Sequence, residues 1–137
     1  IDVGADLKRI VFPLDSTKIT RQKLPITALL AKYFGAEIHI LGLLTTNSND
    51  IRFRVRNYVE QVEEYLTENG IKFKSTLIDS KNITEDTVNY AKEIGGNLIS
   101  IMTEQETSAA NLLLGSYSSQ MVNHSSIPVL SVHASKY

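Results

Sequence analysis

The sequence contains no cysteine. That excludes disulfides, zinc sites built on thiolates and a cysteine nucleophile, and it is compatible with a reducing compartment. Neither sign of charge prevails: 14 Lys and Arg stand against 15 Asp and Glu, for a formal net charge of -1. With no basic excess and no basic run, binding to nucleic acid or to an anionic membrane surface has little electrostatic support. No apolar run approaches the roughly 18 residues needed to cross a bilayer, and no signal-peptide pattern opens the chain. The three histidines and the acids show no metal-ligand spacing. These absences lead to the expectation of a soluble, cytoplasmic protein without a metal, membrane or nucleic-acid partner.

What is there suits one domain. Hydrophobic residues make up 42% of the 137, enough for a sizeable core. The first residue is Ile1, and Asp2-Val3-Gly4-Ala5-Asp6 reads as the end of a linker. Residues 1–7 are therefore expected to be a leader remnant and 8–137 the domain, cut from something longer. Lys8 to Leu14 is a β-branched and aromatic run closed by Asp15-Ser16-Thr17, which favour turns and caps. It reads as a central strand with Asp15 at its C-terminal end and Pro13, which cannot donate to a ladder, among its last residues.

From about Thr20 to Phe34 the apolar positions Leu24, Ala28, Leu30, Ala31 and Phe34 recur at helical spacing, with Gly35 as a stop and Pro25 implying a late start or a kink. Glu37 to Leu44 is a second buried strand, in which His39 reads as a structural partner. Asp50 to Glu68 is a long helix with Ile51, Val55, Tyr58, Val59, Val62, Tyr65 and Leu66 on one face, closed by Asn69-Gly70. Arg52, Arg54 and Arg56 spread around its start as a solvated surface. Ile71 to Ile78 reads as an edge strand with lysines outward, Ile83 to Ile94 as a helix ended by Gly95-Gly96, and Asn97 to Met102 as a fourth strand.

After a polar loop from Thr103 to Ala110, an apolar triplet runs into Gly115-Ser116. A short helical pattern follows with Met121 and Val122 on its apolar side, and Ile127-Pro128-Val129-Leu130 reads as a last strand. Alternating strands and helices argue for a parallel sheet covered on both faces. Ligands collect beyond the C-terminal ends of such strands, where strand order reverses; here Asp15 falls beside the loop after Met102. Free backbone N–H groups at a helix N-terminus, with no side chain on Gly115, form an anion seat. Read locally, Ser116 is first of all an N-cap and no more. Catalysis has less support, because the crevice offers Asp15 and hydroxyls, short of the convergent groups it needs. His124, His133, Met102 and Met121 read as structural, and no enzymatic activity is expected.

With these elements in place, the chain resembles the universal stress protein family. Arg9-Ile10-Val11-Phe12-Pro13-Leu14-Asp15 is similar to the family's opening strand with its terminal aspartate. Ala28 through Ala36, followed by Glu37 to Leu41, is similar to its first helix and second strand. Leu113-Leu114-Gly115-Ser116, with His124 and Pro128-Val129-Leu130, resembles its closing signature. A narrower resemblance, through Ile101 to Glu106 and Gly115 to Leu130, is to the second domain of tandem members; a domain attached to a transporter is the other context. The resemblance implies a doubly wound, five-stranded parallel sheet in the order 3-2-1-4-5, adenine-nucleotide alpha-hydrolase-like, with helices on both faces.

Many members bind ATP, so the resemblance implies a site for ATP or AMP drawing on Leu14, Asp15, Leu43, Met102, Gly115, Ser116, Tyr117 and Ser118. Asp15 would face the ribose or adenine, Leu43 would lie against the base, and Met102 would open the phosphate loop. Gly115 to Ser118 would offer N–H and hydroxyl groups to phosphates. ATP-binding members carry two glycines three apart after the fourth strand; here stand Thr103-Glu104-Gln105-Glu106, in a loop one residue shorter. Side chains there obstruct close approach of backbone to phosphate. At about 6 Å, each acid would repel a phosphate by on the order of 1–3 kcal/mol for effective dielectrics of 20 to 60. The expected function is a regulatory, stress-response domain with a degenerate nucleotide site, the alternative being a working ATP site. The last strand should lie at a sheet edge with unpaired backbone groups. The expected partner is therefore a homodimer or pseudo-dimer through Val129 to Val132, the surface by which family members commonly pair.

Overall fold

A computed structural model of the chain describes residues 7–102, 121 and 125–133. Its elements are β1 (Arg9–Leu14), α1 (Leu24–Phe34), β2 (Glu37–Leu44), α2 (Asn49–Glu68), β3 (Phe73–Asp79), α3 (Ile83–Ile94), β4 (Leu98–Met102) and β5 (Val129–Val132). All strand pairs are parallel, in the order β3-β2-β1-β4-β5. β1 lies in the middle, as its run of buried residues after Arg9 requires.

Successive residues of a strand face opposite sides of the sheet, and the core divides accordingly. Ile10, Phe12 and Leu14 of β1 join Ile38 and Ile40 under α1 and α2, where Leu24, Ala28, Ala31, Val59, Val62 and Leu66 close the layer. Val11, Leu41, Leu43, Ile99 and Ile101 face the other way, against Ile83, Val88 and Ala91 of α3 and against Met121. Each large side chain so covered contributes roughly 1.5–3 kcal/mol of hydrophobic stabilisation. These two layers therefore fix which face each helix occupies.

The helices obey local signals. A short 3-10 turn, Lys18–Arg21, precedes α1, which starts only at Leu24 with Pro25 in its first turn. Pro25 thus marks a late start without a kink, since its missing N–H falls among those unpaired in any helix. α3 is capped by Asn82, whose Oδ1 accepts the Glu85 N–H at 3.0 Å, and carries Glu85 and Asp86 in its first turn. Both α1 and α3 end on a left-handed residue, Gly35 (φ 66°) and Gly95 (φ 70°), a conformation that costs glycine nothing.

Three local expectations change. The inward face of α1 is Leu24, Thr27, Ala28 and Ala31; Leu30 is half-buried and Phe34 is exposed, and the Thr27 hydroxyl is accommodated inside by hydrogen bonds. Arg52 is ion-paired rather than solvated: its Nη1 stands 2.6 Å from Asp79 Oδ1 and donates to the Thr46 carbonyl at 3.2 Å, while Arg54 and Arg56 are exposed. The edge strand β3 begins two residues late, at Phe73, with Lys72 and Lys74 in solvent.

Candidate functional site

The chain leaves β1 toward β2 on one side, while β4 lies on the other, so strand order reverses between β1 and β4. β1 runs alongside β2 from Arg9 opposite Glu37 to Leu14 opposite Gly42. Alongside β4 its ladder covers only Ile10 opposite Leu98 and Val11 opposite Ile99. Pro13 accounts for the early end, since it brings no N–H and its carbonyl accepts from the Lys23 amine. At the opposite end the same two strands are fastened by Asn97. Its Oδ1 accepts from the N–H groups of Lys8 (2.7 Å) and Arg9 (2.9 Å), and its own N–H donates to the Arg9 carbonyl at 2.8 Å. The seam is fastened at its base, and its ladder stops short of the C-terminal end, the mouth.

Asp15 stands at that mouth, only 5% exposed. Its Oδ1 accepts from the Thr17 N–H at 2.9 Å and the Thr17 hydroxyl at 2.6 Å, a local turn that fixes the carboxylate's direction. Its own N–H donates to Thr20 Oγ1 at 3.2 Å. Beneath it lies Lys23, wholly buried at the N-cap of α1, with its Nζ 4.8 Å from the centroid of the Phe12 ring. Burial pushes the Lys23 amine down from 10.5 to about 7, and the Asp15 carboxylate pulls against that fall. Thr27 completes the group: its hydroxyl donates to the Lys23 carbonyl at 2.6 Å and shares a hydrogen bond with Ser100 Oγ at 2.7 Å, tying α1 to β4.

Of the residues expected at the site, Leu14, Asp15 and Met102 end the two strands flanking the seam, and all three are buried. Leu14 packs under α1 and α2. Leu43 sits near the end of β2 with its side chain in the layer facing α3. Gly115, Ser116, Tyr117 and Ser118 lie outside the described residues, as do Glu104, Glu106 and His124. Met121 is a core residue. His39 is buried in β2 with Nε2 2.7 Å from Glu37 Oε1, a charge-pair distance without hydrogen-bond alignment.

Lys23 has no counterpart among the residues expected at the site. The late helix start at Pro25 was its one signal, because it moves residue 23 from a solvated turn to a cap over the sheet. A cleft of about 480 Å³ beyond the ends of β2 and β3 is also new. It is lined in part by Thr45, Asn47, Asp79 and Ser80, and Ser80 Oγ donates to Asp86 Oδ2 at 2.6 Å. Among the described residues no group of three or more His, Asp or Glu could hold a metal ion, and no helix is long and apolar enough to cross a membrane.

A buried aspartate thus stands at the switch point of a five-stranded parallel sheet. The universal stress protein family model matches residues 6–133. The chain belongs to the universal stress protein family. Among solved structures, this universal stress protein domain is similar to a hypothetical protein whose biochemical function was assigned from its structure, at 20% identity and TM-score 0.79, over 96% of this chain and 99% of that one. It is similar to a universal stress protein in complex with cAMP at 18% identity and TM-score 0.74, over 94% and 98%. A third is the Archaeoglobus fulgidus universal stress protein in complex with dAMP, at 14% identity and TM-score 0.71, over 92% and 97%. Likeness at such identities speaks for the fold. No curated protein matches the chain.

Proposed function

We propose that this domain is a non-catalytic regulatory module that works by association through β5 and holds an adenine mononucleotide weakly in the mouth between β1 and β4. The observation that carries the reading is Asp15, oriented by Thr17 and buried at the switch point, where sheets of this kind receive ligands. Relatives of the same fold in complex with cAMP and dAMP support the ligand class. The glycine-free stretch Thr103-Glu104-Gln105-Glu106 argues for weakness, and against a triphosphate most, since added phosphate charge meets added acid. Asp15 would take the ribose or adenine, with Gly115 to Ser118 on the phosphate.

β5 ends the sheet and pairs only with β4 among the described strands. Its free edge at Val129–Val132 supports pairing with a second domain of the same kind, another chain or a tandem neighbour. A cytoplasmic setting accords with the absence of cysteine. The ligand half of the reading is tested by isothermal titration of charcoal-treated protein with AMP and with ATP, with and without magnesium. AMP is expected to bind between high micromolar and millimolar strength, ATP no tighter, and Asp15→Ala and Gly115→Val to abolish both. Low-micromolar ATP binding lost in the same variants would establish a working ATP site instead.

A further inference from the structure

α1 is apolar on two sides. Leu24, Thr27, Ala28 and Ala31 face the sheet. Ile26, Leu29, Leu30 and Tyr33 recur with the same spacing on the opposite side, and Ile26, Leu29 and Tyr33 are 41%, 63% and 81% exposed. Phe34, itself 38% exposed, supports Tyr33 edge-on at 4.8 Å between ring centroids. A surface helix ordinarily sets charge against solvent, as α2 does with Arg54, Arg56, Glu60 and Glu64. α1 carries a single charge, Lys32, and no acid occurs between Asp15 and Glu37. An outward stripe of this kind is the mark of a covered face.

We propose that the outer stripe of α1 is a two-fold interface with a second copy of this chain. A two-fold axis sets a surface against itself, so any charge within it meets its like. This stripe holds none: Lys32 lies about a quarter turn round the helix from it and stays at the rim. With areas of roughly 150–250 Å² per large apolar side chain, the exposed fractions amount to roughly 450 Å² per copy. Two copies, with Leu30 and Pro25 at the margin, reach the roughly 1,000 Å² at which specific association begins. The expected dimer is therefore weak, and Tyr33 and Leu29 are its anchors. An anionic bilayer fits less well, because recognition there calls for a cluster of about four to eight cations, whereas Lys18 and Lys32 are the exposed cations between Asp15 and Glu37. This surface is separate from the β5 edge and does not depend on the nucleotide reading.

The test is sedimentation of the chain from about ten micromolar to one millimolar, for the natural protein and for Leu29→Glu and Tyr33→Glu, both at solvent-exposed positions that leave the fold in place. The expected result is reversible self-association weakened at least tenfold by either substitution, with unchanged circular dichroism. Because the chain has no cysteine of its own, Leu29→Cys should form a disulfide between copies on mild oxidation. Association indifferent to both acidic substitutions would assign it to the β5 edge and overturn the proposal. So would a protein that stays monomeric at one millimolar. Co-sedimentation with vesicles of phosphatidylserine and phosphatidylcholine, lost in the same variants while the free chain remains monomeric, would give the stripe to a membrane.

Discussion

Burying Lys23 has a cost that depends on pH. The folded amine releases its proton near 7, whereas in the unfolded chain it keeps it to 10.5. Between those limits the unfolded state binds more protons, so stability contributed by this residue rises with pH across the window and is lost as pH falls to 7. The slope approaches about 1.4 kcal/mol per pH unit in the middle of the window. Lys23→Met removes the titrating group while keeping the length of the side chain. Urea midpoints measured at several pH values from about 7 to 10 should then show the natural protein gaining on the variant as pH rises. Curves that run parallel would mean that the amine stays charged in place. Asp15, whose carboxylate opposes that deprotonation, is the second variable, and Asp15→Asn should lower the Lys23 titration further.

At the scale of elements, cap chemistry makes the sharpest prediction. Asn82→Ala removes the acceptor for the Glu85 N–H and should destabilise the fold by about 1 kcal/mol, read as a lower urea midpoint with an unchanged slope. The elements legible in the sequence are those whose local signals agree with their surroundings. β2 is a continuous apolar strand and α3 lies between an asparagine cap and a glycine stop, and both fall at the expected bounds, Glu37–Leu44 and Ile83–Ile94. α1 is less legible because one of its four inward positions, Thr27, is decided by a neighbour, through its bond to Ser100, while Leu30 and Phe34 share the apolar pattern without being buried. The site divides the same way. Asp15 could be placed because a strand end and a turn signal coincide. Lys23 could not, since local pattern assigns a lysine to solvent, and the late start implied by Pro25 leaves open what the residue packs on, which Phe12 and Pro13 decide.

For the molecule as a whole, the short ladder between β1 and β4 leads us to expect that the sheet opens in two parts. β3, β2 and β1 are laced along their lengths, and so are β4 and β5. The two groups share the apolar layer of Val11, Leu41, Leu43, Ile99 and Ile101, but their hydrogen-bonded links are few: a short ladder, Asn97 at the base and the Thr27 to Ser100 bond above it. Native-state hydrogen exchange should report the division, with amides of β4 and β5 opening at lower free energy than those of β2. Asn97→Ala should widen that difference; uniform loss of protection across all five strands would show a single unit instead.

The seam is in mechanical terms a lever. With Asn97 as fulcrum and Pro13 as the point where lacing stops, any rotation of the β4–β5 leaf would have its largest displacement at the C-terminal end, beside Asp15 and Met102. Anything that bridges the two leaves there acts with the longest arm available. The far edge of that leaf is β5. Torque applied at that end would therefore be felt at the strand proposed above as the docking edge.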